Sequence, residues 1–140
     1  MGDVEGQGSL ITVFLDENHC SNPHLHAALE ADGVSYEKHL DYFQRGAEDT
    51  VWIPEIAQKG WVLFTTDARI RYNRLERNAV KENNLRMFYF TRNDMGGPEM
   101  GVALAKALPK MKQICQTTSP PFAASITRGG DVTLRDLFKT

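Results

Sequence analysis

Cysteine is scarce in this chain of 140 residues, and long apolar runs are missing. Only Cys20 and Cys115 are present, far apart in sequence, and the N-terminus does not read as a secretory signal. Reduced thiols in a cytoplasmic protein are the expectation. No apolar stretch reaches the roughly 20 residues that a membrane helix needs, and no membrane partner is expected. The Met1-Gly2 start lacks the Ser or Thr that N-myristoylation requires at position 6, where Gly6 stands. Excess charge of one sign is also lacking: 16 basic against 18 acidic residues leave a net charge of −2. Any binding of nucleic acid must therefore come from local charge asymmetry. Tryptophan is limited to Trp52 and Trp61, both in apolar settings that read as core.

What remains is ordinary soluble composition, with enough chain to bury one core. Residues 1–8 are Gly-rich and polar and read as a disordered tail, leaving 9–140 as a single domain. The apolar run from Leu10 to Leu15 reads as a buried strand, cut off by Asp16, Glu17 and Asn18. Asn22-Pro23 starts a helix that Gly33 stops, and Val34 to Tyr36 can form a second strand. Tyr42 to Ala47 reads as a loop, followed by an acidic helix start at Glu48-Asp49-Thr50. Apolar Val51, Trp52, Ile56 and Ala57 give that helix a buried face, Pro54 implies a tight opening, and Gly60 closes it. Trp61 to Thr65 is a third strand, ending in Thr66-Asp67.

The segment after Asp67 reads as helical in its second half, with Arg74, Arg77, Asn78 and Lys81 on one face. Leu85 to Phe90 is a fourth strand. Pro98 to Cys115 contains a long helix with Val102, Leu104, Ala105, Leu108 and Met111 on its covered side. Past Pro120-Pro121, Phe122 to Thr127 and Val132 to Leu134 flank Gly129-Gly130 as a terminal hairpin. Alternating strands and helices give an α/β domain around a mainly parallel sheet.

In such a sheet, right-handed crossovers put the exits of the first and third strands on the same edge, where ligand sites lie. Asp16, Glu17 and Asp67 occupy those exits, and Asp49 at a helix start can face them. Carboxylates about 4 Å apart repel by roughly 4 kcal/mol per pair at an effective dielectric of 20. A convergent cluster therefore calls for a cation, and an all-oxygen donor set suits Mg²⁺ or Mn²⁺. The alternative from spacing alone is that these acids are separate turn and cap residues, and both readings stay open at this point.

Phe14-Leu15-Asp16-Glu17-Asn18, then Asp49 followed by Trp52-Ile53-Pro54-Glu55-Ile56-Ala57, then Trp61 to Asp67 resembles the PIN-like nuclease superfamily. The nearest likeness is to the small toxins of VapBC toxin–antitoxin pairs. The resemblance implies a three-layer α/β/α fold and a Mg²⁺- or Mn²⁺-dependent endoribonuclease that hydrolyses RNA phosphodiesters as the toxin of a type II pair. It implies Asp16, Asp49 and Asp67 as catalytic metal ligands, with Thr66 at a site-orienting position. A cognate antitoxin is the implied protein partner, and a homodimer is an open option. The chain departs from the pattern in one respect. Many PIN nucleases carry a further helix-borne glutamate, which no residue here clearly supplies, so Glu17 stands as its substitute metal ligand.

From Arg69 to Arg86 five arginines and one lysine face two glutamates, the largest charge asymmetry in the chain. Arg69, Arg71, Arg74 and Arg77 are candidate RNA contacts that would neutralise phosphates flanking the cut, with Tyr72 placed to stack on a base. A solvated helix face with local ion pairs is the plain alternative, and Glu76 can anchor these arginines or act as an outer metal partner. His19, Cys20, His24 and His26 match no standard zinc spacing. Two other functions fit parts of the pattern. One is a PIN-like module that binds RNA or protein without catalysis. The other is a receiver-type phosphoacceptor domain, against which Arg92 stands where a lysine would be needed.

Overall fold

The first apolar run forms β1 (Thr12–Leu15), with Val13, Phe14 and Leu15 fully enclosed. The structure is a computed structural model that describes residues 11–66, 73–92 and 94–138. The expected tail over residues 1–8, together with Asp67, Arg69, Arg71 and Tyr72, lies outside the described residues. Helix α1 (Pro23–Ala31) starts as expected: the Asn22 side chain accepts from the His24 N–H, and Pro23 spends no donor at a position that has no partner anyway. It ends before Gly33, which takes the left-handed φ of 69°.

The second strand, β2 (Ser35–Lys38), starts and ends later than the expected Val34 to Tyr36, and a single 3-10 turn at His39–Asp41 continues from it. Helix α2 (Asp49–Gln58) opens tightly, Val51 and Trp52 both donating to the Glu48 carbonyl, and it accommodates Pro54. Strand β3 (Val62–Thr65) is buried throughout. Helix α3 (Arg74–Glu82) begins at Asn73, whose side chain accepts from the Glu76 N–H. Strand β4 (Arg86–Phe90) and helix α4 (Gly97–Thr117) follow, then β5 (Phe122–Ile126) and β6 (Val132–Arg135), the expected hairpin.

The sheet order is β2-β1-β3-β4-β5-β6, parallel except for β6. One larger apolar cluster holds Leu25 and Leu29 of α1 and Met100, Leu104, Leu108 and Met111 of α4 against one sheet face. The other face carries Trp52, Ile53 and Ile56 of α2 with Ala79 and Val80 of α3. This is a three-layer α/β/α fold. Among the described residues no helix is long and apolar enough to cross a membrane.

The covered side of α4 differs from expectation: Val102 and Ala105 are exposed, while Ala103, Ala107 and Ile114 are buried beside Leu104, Leu108 and Met111. The buried stripe follows positions 100, 104, 107, 111 and 114, and Val102 falls on the opposite side of a 3.6-residue repeat. Gly101 permits the closeness of α1 and α4. A Cβ there would stand 2.8 Å from the His24 carbonyl oxygen.

Candidate active site

Strand order decides where the acids meet. The chain leaves β1 toward β2 and leaves β3 toward β4, in opposite directions, so a crevice opens at the carboxyl ends of β1 and β3. Leu15 pairs with Phe64, and the Asp16 N–H donates to the Phe64 carbonyl, which fixes Asp16 at the mouth of that crevice. Asp16 is only 8% exposed. Its Oδ2 accepts from the Thr65 hydroxyl at 2.7 Å and from the Thr66 N–H at 3.1 Å, and its Oδ1 accepts from the His19 N–H at 3.2 Å. Burial nevertheless pushes the Asp16 carboxyl above its usual range, against the lowering effect of these donors and of the nearby His19 charge.

A cleft of about 680 Å³ lies over this residue. Asp16, Glu17, Asp49 and Glu76 supply its carboxylates, and Asn18 and Asn73 supply amides. His39, Trp52, Thr65 and Ala47 complete the wall. Asp49 and Glu76 sit in the first turns of α2 and α3. In a parallel sheet those helix starts face the same edge as the strand exits, and the positive ends of the helix dipoles favour the ionised acids there.

Each residue expected at the site has a distinct position. Asp16 and Asp49 share the cleft, and Asp67 lies outside the described residues. Glu17 lines the cleft as well, but its carboxylate is engaged with the neighbouring loop. Oε1 accepts from the Gly46 N–H at 3.0 Å, and Oε2 is 3.6 Å from Arg45 Nη1. Thr66 contributes its backbone N–H to Asp16, and the hydroxyl comes from Thr65, one residue earlier. Arg74 is exposed beside the cleft, whereas Arg77 is half-buried with its Nε out of solvent contact. Arg69 and Arg71 are outside the described residues. Among the former zinc candidates, the Cys20 thiol donates to the Glu17 carbonyl, and His26 Nε2 bonds the Cys20 carbonyl while its ring stacks on Tyr36.

Two features go beyond the sequence reading. Glu76, read there as an anchor for the arginines or an outer metal partner, is the helix-borne glutamate that lines the cleft. Its signal was the Asn73-x-x-Glu76 spacing, which starts the helix at Arg74 and turns Glu76 toward the sheet edge. The other is His39, 1% exposed, packed against Phe14, Phe43 and Trp52 at ring separations of 5.9, 5.4 and 5.5 Å. Burial pushes its pKa down, against the raising influence of Glu17, Asp16 and Asp49, so the imidazole is held toward its neutral form. A second strand read as Val34 to Tyr36 leaves His39 beyond its end. With the strand running to Lys38, His39 stands at its exit, on the same edge as Asp16.

A protein-family profile described as "PIN like domain" matches residues 11–92, from β1 to the end of β4. The chain belongs to the PIN-like domain family. No curated protein and no solved structure matches it. PIN-like domains are typically nucleases and generally use divalent metal ions.

The site of this PIN-like domain fits such an ion in donor chemistry. Its donors are carboxylate and amide oxygens, and a desolvated Asp16 is an anion that a cation would relieve. Among the described residues no three His, Cys, Asp or Glu side chains stand close enough to hold a metal directly. Mg²⁺ retains several waters beside one or two carboxylates, and those waters can span to the remaining acids.

Proposed function

We propose that this PIN-like domain is a metal-dependent endoribonuclease that hydrolyses RNA phosphodiesters, acting as the toxin of a type II toxin–antitoxin pair. The observation that carries the nuclease reading is the buried, triply hydrogen-bonded Asp16 at the β1/β3 crevice, facing Asp49 and Glu76 across one cleft. Asp16 would hold Mg²⁺ or Mn²⁺ directly, with Asp49 and Glu76 reaching the ion through its retained waters and Asp67 as a further candidate ligand. When bound, the ion supplies Lewis acidity toward the phosphodiester and toward water.

The chain's own residues do the rest. The Thr65 hydroxyl and the Thr66 N–H keep Asp16 in one orientation. The first turns of α2 and α3 add positive potential beside the scissile group. Exposed Arg74 at the start of α3, with Arg69 and Arg71 before it in sequence, neutralises flanking phosphates in this reading. The antitoxin of this reading covers the acidic cleft with basic or hydrophobic side chains.

The test is incubation with single-stranded RNA and Mn²⁺ or Mg²⁺, alongside EDTA and the Asp16→Asn and Asp49→Asn variants. Cation-dependent cleavage lost in both variants is expected. Cleavage that survives EDTA or both substitutions removes the mechanism. The wide spacing of the described acids favours a second reading, a binding module without catalysis. RNA bound through Arg74 without any cleavage would establish that one.

A further inference from the structure

His39 is a polar side chain that the fold buries and leaves without a partner. Neither Nδ1 nor Nε2 has a hydrogen-bond partner, and both are shielded from solvent. An imidazole must carry at least one N–H, and a buried donor left unmade costs about 1–3 kcal/mol. Leu or Phe would fill the hollow among Phe14, Phe43 and Trp52 without that cost, so packing alone does not account for a histidine here. The same ring lines the cleft, in edge-on contact with Trp52, and Asn18 lines that cleft as well.

The chemistry of the cleft limits what can meet it. Asp16, Glu17, Asp49 and Glu76 repel a bare anion, so the phosphate portion of a nucleotide is not what approaches the histidine. A nucleobase is flat, uncharged and edged with donors and acceptors. It can touch the rim of Trp52, 6% exposed at the cleft, and exchange hydrogen bonds with an imidazole and a carboxamide.

We infer that His39, with Trp52 and Asn18, forms a nucleobase-recognition subsite in the cleft, in which the imidazole turns toward the opening and an unpaired base supplies the hydrogen bond that the ligand-free protein lacks. The subsite rests on the nuclease reading for its place beside a scissile phosphate, and not for the binding itself. His39 becomes the residue that selects the base, and the orphaned nitrogen is the cost borne by the empty state.

The experiment uses the full chain and the four uncharged ribonucleosides, without phosphate or added cation. Binding is followed by saturation-transfer NMR and titration, and thermal unfolding is recorded for wild type, His39→Phe and His39→Leu. Wild type should bind one ribonucleoside at least fivefold more tightly than another. Both variants should lose that discrimination while unfolding at the same or a higher temperature without ligand. A wild type that binds no ribonucleoside at millimolar concentration overturns the subsite, as do variants that keep wild-type preference. Failure of the nuclease reading looks different: base preference persists, and no RNA is cleaved with any cation.

Discussion

The Thr65 hydroxyl donates to Asp16 Oδ2 across 2.7 Å, tying the ends of two neighbouring parallel strands together through a buried carboxylate. Thr65→Val keeps the shape and removes the donor. Hydrogen bonds to charged groups contribute about 1.5–3 kcal/mol, so urea unfolding at neutral pH should show a loss of that order. Cleavage should fall at least tenfold, because Asp16 then protonates more readily and loses its orientation. Thr65→Ser should recover most of both.

His39 and Asp16 give opposite pH signatures. The folded His39 pKa lies below its ordinary 6.5, so on acidification the unfolded chain takes up a proton that the native site refuses. Its contribution to stability is present above 6.5 and is lost as pH falls through the folded value, with a slope of at most about 1.4 kcal/mol per pH unit. Asp16 is raised from 3.8, so its contribution is present below that value and lost as pH rises through the folded pKa. Unfolding free energies from pH 5 to 8, wild type minus His39→Leu, should isolate the first slope. Parallel curves for the two proteins would contradict the burial assignment.

Glu17 holds the loop that leads into α2. Glu17→Ala removes the acceptor of the Gly46 N–H and the partner of Arg45. Amide exchange at Gly46 should accelerate by about tenfold or more. Global stability should change by less than about 1 kcal/mol, since the Arg45 end of the ion pair is solvent-exposed. An unchanged exchange rate would show that the loop holds itself.

Gly101→Ala tests the interlock of α1 with α4. The added Cβ would meet the His24 carbonyl oxygen at 2.8 Å and the His24 Cβ at 2.9 Å, contacts relieved only by parting the two helices. A loss of about 1–3 kcal/mol is expected by chemical denaturation, despite alanine's better helix propensity.

Added Mn²⁺ should raise the unfolding temperature through the cleft acids. At a hundredfold excess over Kd the stabilisation is about 2.7 kcal/mol. Asp49→Asn and Glu76→Gln should each weaken the titration, and Glu37→Gln, on the sheet's outer strand, should leave it unchanged.

Much of this architecture was legible because its signals are local. Asn22-Pro23 and Gly33 bracket α1, Glu48 and Gly60 bracket α2, and the Gly129-Gly130 turn joins β5 to β6. The convergence of Asp16 with Asp49 followed from the handedness of parallel crossovers. What escaped depends on the third dimension. The face of α4 that is buried was set by α1 and the sheet, and Val102 carries no local mark of its exposure. His39 depended on where β2 ends, a boundary that hydrogen bonds to β1 decide. Glu76 reads equally as an anchor for the arginines or an outer metal partner until the first turn of α3 is set beside Asp16.

The unequal apolar layers bear on how such a domain can change. The cleft's two helices rest on the smaller cluster, while α1 and α4 close the larger one on the opposite face. Substitutions that retune α2 and α3 toward a new target act on the layer that contributes less to holding the sheet together. The fold thereby separates the residues that keep it assembled from those free to diversify, and new specificities can arise in a lineage before its scaffold is put at risk.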